Sequence, residues 1–192
     1  MVPLSALWLP ILLSAVIVFV ASSIMHMLLP YHRSDYQRLP DEEKVTGVLR
    51  AAGLKRGLYV FPFCTPKDMK APENVEKYKQ GPVVLITAMP LGVPAMPKFL
   101  GLWFGYLVLV SFFVAYLTGH TVASGTQYLA VFRVAGTAAF LAYGLGGLPN
   151  GIWRGQTLSM VLKDLIDGLV YALLTAGTFG WLWPRVVESV AK

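Results

Sequence analysis

Asp164, Asp167, Tyr171, Thr175 and Thr178 recur at helical spacing in the last apolar stretch of the chain. At about 100° per residue they fall within an arc of roughly 80° on one helix face. Carboxylates, a phenol and hydroxyls on one face of an otherwise apolar helix can bond across to neighbouring helices or line a proton or ion path. His26 closes an earlier apolar stretch, near the depth expected for Asp164 and Asp167, so a His–Asp pair can form there. Arg133 lies inside a third apolar stretch, about two turns from its outer end, where a charge costs roughly +2.5–3.5 kcal/mol at mid-bilayer. Gly136, Thr137, Gly144 and Gly147 share its face, so Arg133 is expected to point inward, paired or holding an anion, or else to snorkel to the headgroups. Counting residues places it roughly 12 Å from Asp167 along the membrane normal, which is long for a direct pair.

Other reactive side chains form no recognisable constellation. Met25, His26 and Met27 offer soft ligands, but adjacent positions point to different helix faces and chelate poorly. His32 and His120 fall just outside apolar stretches on opposite sides and cannot share a metal, so no metal-ligand set is assigned. Cys64, the only cysteine, has no histidine near it in sequence to act as its base. There is no phosphate-binding Gly-Lys-Ser/Thr loop, no Gly-x-Ser-x-Gly and no His-Glu-x-x-His, so catalytic residues and cofactors are left open.

The elements that must position these residues are set by the solvent. The 192 residues are 56% hydrophobic and 14% charged, with a mean hydropathy of +0.60. Such a charge deficit excludes a disordered chain, a coiled coil and a typical cytosolic enzyme. About 20 apolar residues cross a bilayer core, and four stretches qualify: Leu7 to Leu29, Phe99 to Thr118, Gln127 to Leu148 and Leu162 to Trp183. The predicted fold is therefore an all-α four-helix transmembrane bundle with a small α+β insertion between spans 1 and 2. Its parts are span 1 at 1–29, a cytoplasmic module at 30–98, and spans 2–4 with short loops at 99–192.

Within the insertion, Asp41 is positioned to cap a helix reaching about Ala52, with Glu42 and Glu43 in its positive first turn. Gly57 to Phe63 and Pro82 to Thr87 read as short strands able to pair, and Pro72 to Lys79 as a helix. Pro149-Asn150-Gly151 is a turn signal, and Thr157 with Ser159 marks the start of the last helix. In that helix Gly168, Ala172, Ala176 and Gly180 form a small-residue stripe that lets another backbone approach closely.

Charge sets the orientation. The 30–98 loop holds eleven Lys and Arg, Arg154 and Lys163 lie between spans 3 and 4, and the opposite side has Arg185 and Lys192. The positive-inside rule puts residues 30–98 in the cytoplasm and both termini outside. Seven acids dilute the bases of the long loop, and no RNP-like or recognition-helix pattern accompanies them, so the expected partner is the lipid bilayer and not nucleic acid.

Trp153-Arg154-Gly155, Lys163-Asp164, Asp167-Gly168 and the closing Gly180-Trp181-Leu182-Trp183-Pro184 resemble a family of small bacterial membrane proteins with four predicted spans, as does the run from Leu12 to His26. The resemblance implies a multi-pass protein of the bacterial inner membrane and carries no activity. Small-residue faces without a chemical motif predict a non-enzymatic protein of assembly, either a homo-oligomer or an accessory subunit of a membrane complex. The alternatives are a small transporter or proton-linked channel using Asp164, Asp167, Arg133 and His26, and a membrane enzyme with its site at the cytoplasmic boundary. Cysteine-accessibility labelling should find residue 67 in the cytoplasm and residue 189 outside; the opposite pattern would reverse the topology.

Overall fold

The computed structural model describes residues 1–185 and divides them into two compact units, 1–35 with 95–185 and, separately, 36–94. Lys192 and the C-terminus, expected on the outer side, lie outside the described residues.

The first unit is helical. A 3-10 turn, Leu4–Leu7, leads into α1, Trp8–Ser23, which continues through a π-helical turn, Ile24–Leu28. After the insertion come α4, Met96–Thr121, and α5, Tyr128–Tyr143. A short 3-10 turn connects α5 to α6, Leu148–Arg154, and α7 covers Leu158–Trp181. Three helical runs are long and apolar enough to cross a membrane: Leu4–Leu28, Met96–Thr121 and Tyr128–Arg154. The fourth expected span coincides with α7, whose early turns carry Lys163, Asp164 and Asp167.

Helix α1 packs on α4 and α7, α4 on α5, and α5 lies along α7. The Ser14 and Ser111 hydroxyls hydrogen-bond at 3.0 Å between α1 and α4, so these two buried hydroxyls partner each other. The α5–α7 contact is the closest, because both helices present small residues to it. A Cβ added to Gly168 would meet the Gly144 backbone nitrogen at 2.6 Å and the Tyr143 carbonyl carbon at 2.7 Å. Ala172 and Ala176 are buried in the same seam, and a Cβ on Gly180 would strike the Tyr128 ring at 2.7 Å. The small-residue stripe is thus used inside the chain.

Arg133 does not point into the bundle, the orientation expected from the residues that share its face. It is exposed and has no hydrogen-bond or ion-pair partner among the described residues. The buried stripe of α5 is Val131, Ala135 and Ala139, and Arg133 lies about 200° around the helix from Val131. The apolar stripe, and not the face bearing Thr137, is turned to the neighbouring helices. Pro149-Asn150-Gly151 also differs: it sits inside α6, with Pro149 in the first turn, where its missing N–H costs nothing. Gly155, at φ +69°, ends that helix.

The second unit contains α2, Glu42–Ala51, and α3, Pro72–Gln80, with a two-stranded antiparallel sheet. Strands β1, Gly57–Phe61, and β2, Val84–Ala88, pair in the register Gly57 with Ala88 through Phe61 with Val84. Asp41 does not cap α2: it takes a left-handed conformation, φ 49°, and its side chain makes no capping bond. Cys64 Sγ lies 3.3 Å from the Tyr78 hydroxyl, which donates to the Pro62 carbonyl.

Gly168→Ala should lower stability by about 1–3 kcal/mol, since a methyl group driven against backbone cannot be relieved by a rotamer change. Thermal unfolding in detergent checks this, with Gly101→Ala, which meets nothing within 4 Å, as the neutral control.

Candidate functional site

The local sequence 28–35 reverses the chain. Proline disfavours helical geometry in the residue before it, and Leu29 accordingly takes an extended conformation, φ −80° and ψ 136°, ahead of Pro30. A 3-10 helix, Pro30–Asp35, then carries Tyr31, His32 and Asp35 back toward α7.

There they meet Asp167. This residue is 4% exposed, and a buried carboxylate must be partnered or it is driven to neutrality. Its Oδ1 accepts a hydrogen bond from the Tyr31 hydroxyl and its Oδ2 lies 2.9 Å from His32 Nε2. The other His32 nitrogen, Nδ1, is 2.6 Å from Asp35 Oδ2, and Asp35 Oδ1 is 2.5 Å from Lys163 Nζ. Lys163 also donates to the Ser34 hydroxyl at 2.8 Å. The result is a continuous chain of groups: Lys163, Asp35, His32, Asp167, Tyr31. With a carboxylate at each nitrogen, His32 donates through both and is an imidazolium.

The electrostatics follow. Burial lowers the affinity of His32 for its proton, but hydrogen bonds to Asp35 and Asp167 outweigh it and leave its pKa above 6.5. Lys163 first, and His32 second, hold the Asp35 carboxyl below its usual 3.8. Burial, with Asp167 beside it, pushes the Tyr31 hydroxyl well above its usual value.

His26 completes the cluster. Its Nδ1 is 3.1 Å from the Ser22 carbonyl, an acceptor only, so Nδ1 carries a hydrogen and Nε2 is the nitrogen turned toward Asp167. That Nε2 lies 3.6 Å from Asp167 Oδ2, and the ring stacks on His32 with centroids 4.3 Å apart and planes 15° from parallel. One ligand atom from each of His26, His32 and Asp167 can be chosen so that all three lie within 4.8 Å of one another. The π-helical turn carries His26, and such turns recur at functional sites.

A cavity of about 430 Å³ opens beside this cluster. Its lining includes His26, Asp164, Asp167 and Tyr171 together with Met27, Leu100, Trp103 and Tyr143. The Ser22 hydroxyl accepts from Trp103 Nε1 at 2.9 Å and so fixes the indole against the wall. Tyr171 is 4% exposed, yet its hydroxyl has no hydrogen-bond partner among the described residues.

Of the residues singled out by sequence, the structure brings together His26, Asp164, Asp167 and Tyr171, with Gly168 also on the cavity wall. Thr175 bonds back to the Tyr171 carbonyl at 2.8 Å and faces the packed interior. Ala172, Ala176 and Gly180 pack helices, and Arg133 lies apart. Sequence reasoning missed Tyr31, His32, Asp35 and Lys163. Their only signal was Pro30, which marks a reversal able to return the next residues to the helix ends.

His32 is raised, so its contribution to stability is complete below about 6.5 and is lost as pH rises through its folded-state value. In chelator-treated protein, nitrogen-15 NMR should find His32 titrating above 6.5, and Asp35→Asn should move that titration downward; an unmoved titration would detach Asp35 from His32. No family model, curated protein sequence or solved structure matches this chain.

Proposed function

We propose that the chain is a four-span membrane enzyme of the bacterial inner membrane, acting by acid–base chemistry on the polar head of an amphiphilic small molecule at the cytoplasmic boundary. The observation that carries this reading is a cavity of about 430 Å³ lined both by His26, Asp164 and Asp167 and by Met27, Leu100 and Trp103. Asp164, exposed at the same cavity and free of hydrogen bonds among the described residues, supplies a carboxylate base. The apolar side formed by Leu100, Trp103 and Met27 suits a hydrocarbon chain entering from the bilayer.

The fourth span is α7. Its 24 residues rise about 36 Å, enough for a hydrocarbon core of about 30 Å. Near its far end Trp183 Nε1 donates to the Ala123 carbonyl and Gly125 N to the Pro184 carbonyl, and Val2 N donates to the Gly119 carbonyl. The start of the chain, the α4–α5 turn and the end of α7 therefore share one boundary, and the site lies at the other. Arg33, Lys98, Arg154 and Lys163 cluster in sequence around the site end, which supports a cytoplasmic placement with both termini outside. Because the small residues of α7 are consumed by α5, they offer no free seam for assembly with other chains.

Native mass spectrometry of protein extracted gently from its own membrane tests the proposal. A lipid-like molecule retained by a monomer or homo-oligomer is expected, with retention falling up to about tenfold in Asp164→Ala, the worth of one hydrogen bond. A defined set of different subunits with no bound small molecule would overturn it in favour of an accessory role in a membrane complex.

A further inference from the structure

The cluster at Asp167 has the composition and second-sphere arrangement of a metal site. We infer that His26 Nε2, His32 Nε2 and the Asp167 carboxylate bind one divalent transition-metal ion, of the class of zinc or iron, at the head-group side of the cavity. This inference rests on the enzyme reading above and names the chemistry of its site.

Two independent features point to it. The ligand set is two imidazoles and one carboxylate, which suits borderline ions and leaves coordination positions open for water or substrate. Each imidazole is held at Nδ1 by an acceptor, the Ser22 carbonyl for His26 and the Asp35 carboxylate for His32, so both present Nε2 toward Asp167. Such outer-sphere acceptors fix the tautomer and orientation of ligating histidines.

The spacing is close to what an ion needs. Ligands about 2.0–2.2 Å from a tetrahedral ion lie roughly 3.3–3.5 Å apart. His26 Nε2 is 3.6 Å from Asp167 Oδ2, while His32 Nε2, at 2.9 Å, is drawn in by a shared hydrogen. Replacing that hydrogen by an ion opens the second distance, and His26, whose side chain is 51% exposed, has room to tilt out of the imidazole stack so that both lone pairs converge. Metal binding releases the Nε2 proton of His32 to solvent. Lys163 stays on Asp35 and keeps that second carboxylate in its supporting place. In the enzyme reading the ion would polarise a bound water, and Asp164 would accept that water's proton.

The test uses the full chain in detergent, stripped with chelator and titrated with Zn²⁺ alone by calorimetry, then with Co²⁺ followed by visible absorption. One ion per chain is expected, with a Co²⁺ spectrum of mixed nitrogen and oxygen ligation. His26→Ala, at a half-exposed position that should leave the fold intact, should weaken Zn²⁺ binding at least about tenfold. Asp35→Asn, which touches no ion, should weaken it by about 10–100-fold through His32, while His120→Ala should change nothing. Absence of stoichiometric Zn²⁺ binding, or equal affinity in wild type and His26→Ala, would overturn the site. Stripped protein that still retains an amphiphile but takes up no Zn²⁺ would remove the ion and leave the enzyme reading; Zn²⁺ uptake without a retained amphiphile would remove the enzyme reading and leave the ion.

Discussion

The carboxylate of Asp167 is the constraint around which the site is arranged. A charge 4% exposed in a helix of mostly apolar residues is tolerated only if its lone pairs are met. The chain meets them with residues 135 and 136 positions away, His32 and Tyr31, on a segment that must leave the line of α1 to reach it. Removing one partner from such a buried arrangement typically costs roughly 3–5 kcal/mol, so the reversal at Leu29–Pro30 is tied to the helix pair as firmly as any apolar contact. Asp35 and Lys163 extend the tie to the start of α7 and close the charge balance around His32.

The cavity is the counterpart of close packing elsewhere. At Gly168 and Gly144 the backbones of α7 and its neighbour approach closely enough to exclude a Cβ. One turn further along α7, Tyr171 meets Tyr143 edge to face at 5.8 Å and Trp103 at 6.3 Å, and these rigid rings prop the helices apart. Tight glycine contact beside bulky aromatic contact leaves a space that no side chain fills. Because Asp164, Asp167 and His26 line it together with Met27, Leu100 and Trp103, the space is amphipathic.

A hydrogen-bonded imidazolium and a metal-bound imidazole share two demands on their surroundings: an acceptor at the nitrogen that keeps its hydrogen and a fixed ring plane. The Asp35–His32–Asp167 arrangement therefore serves a stable metal-free protein and, in the proposed form, a loaded one, with the ion taking the place of a proton. His26 Nε2, turned toward Asp167 by the Ser22 carbonyl, is the ligand that α1 contributes to the proposed ion site.

Composition and hydropathy by themselves determined the helical, membrane-crossing character of the chain, since runs such as Leu12 to Phe19 have no other stable solvent. Local signals also placed the two helices and two strands of the insertion, because capping charge, Pro72 and β-branched runs act within a few residues. The polar face of α7 was legible from periodicity, and so was the meeting of His26 with Asp167, from depth alone. Which face of α5 turned inward was not: Arg133 and the Val131–Ala135–Ala139 stripe lie on opposite sides, and only packing against α7 decides between them. Nor could His32, Tyr31, Asp35 and Lys163 be read as partners, because six residues along a regular helix would carry His32 about 9 Å beyond His26. Tertiary structure brings the two rings to 4.3 Å by breaking the helix at Leu29 and folding the chain back onto a buried charge.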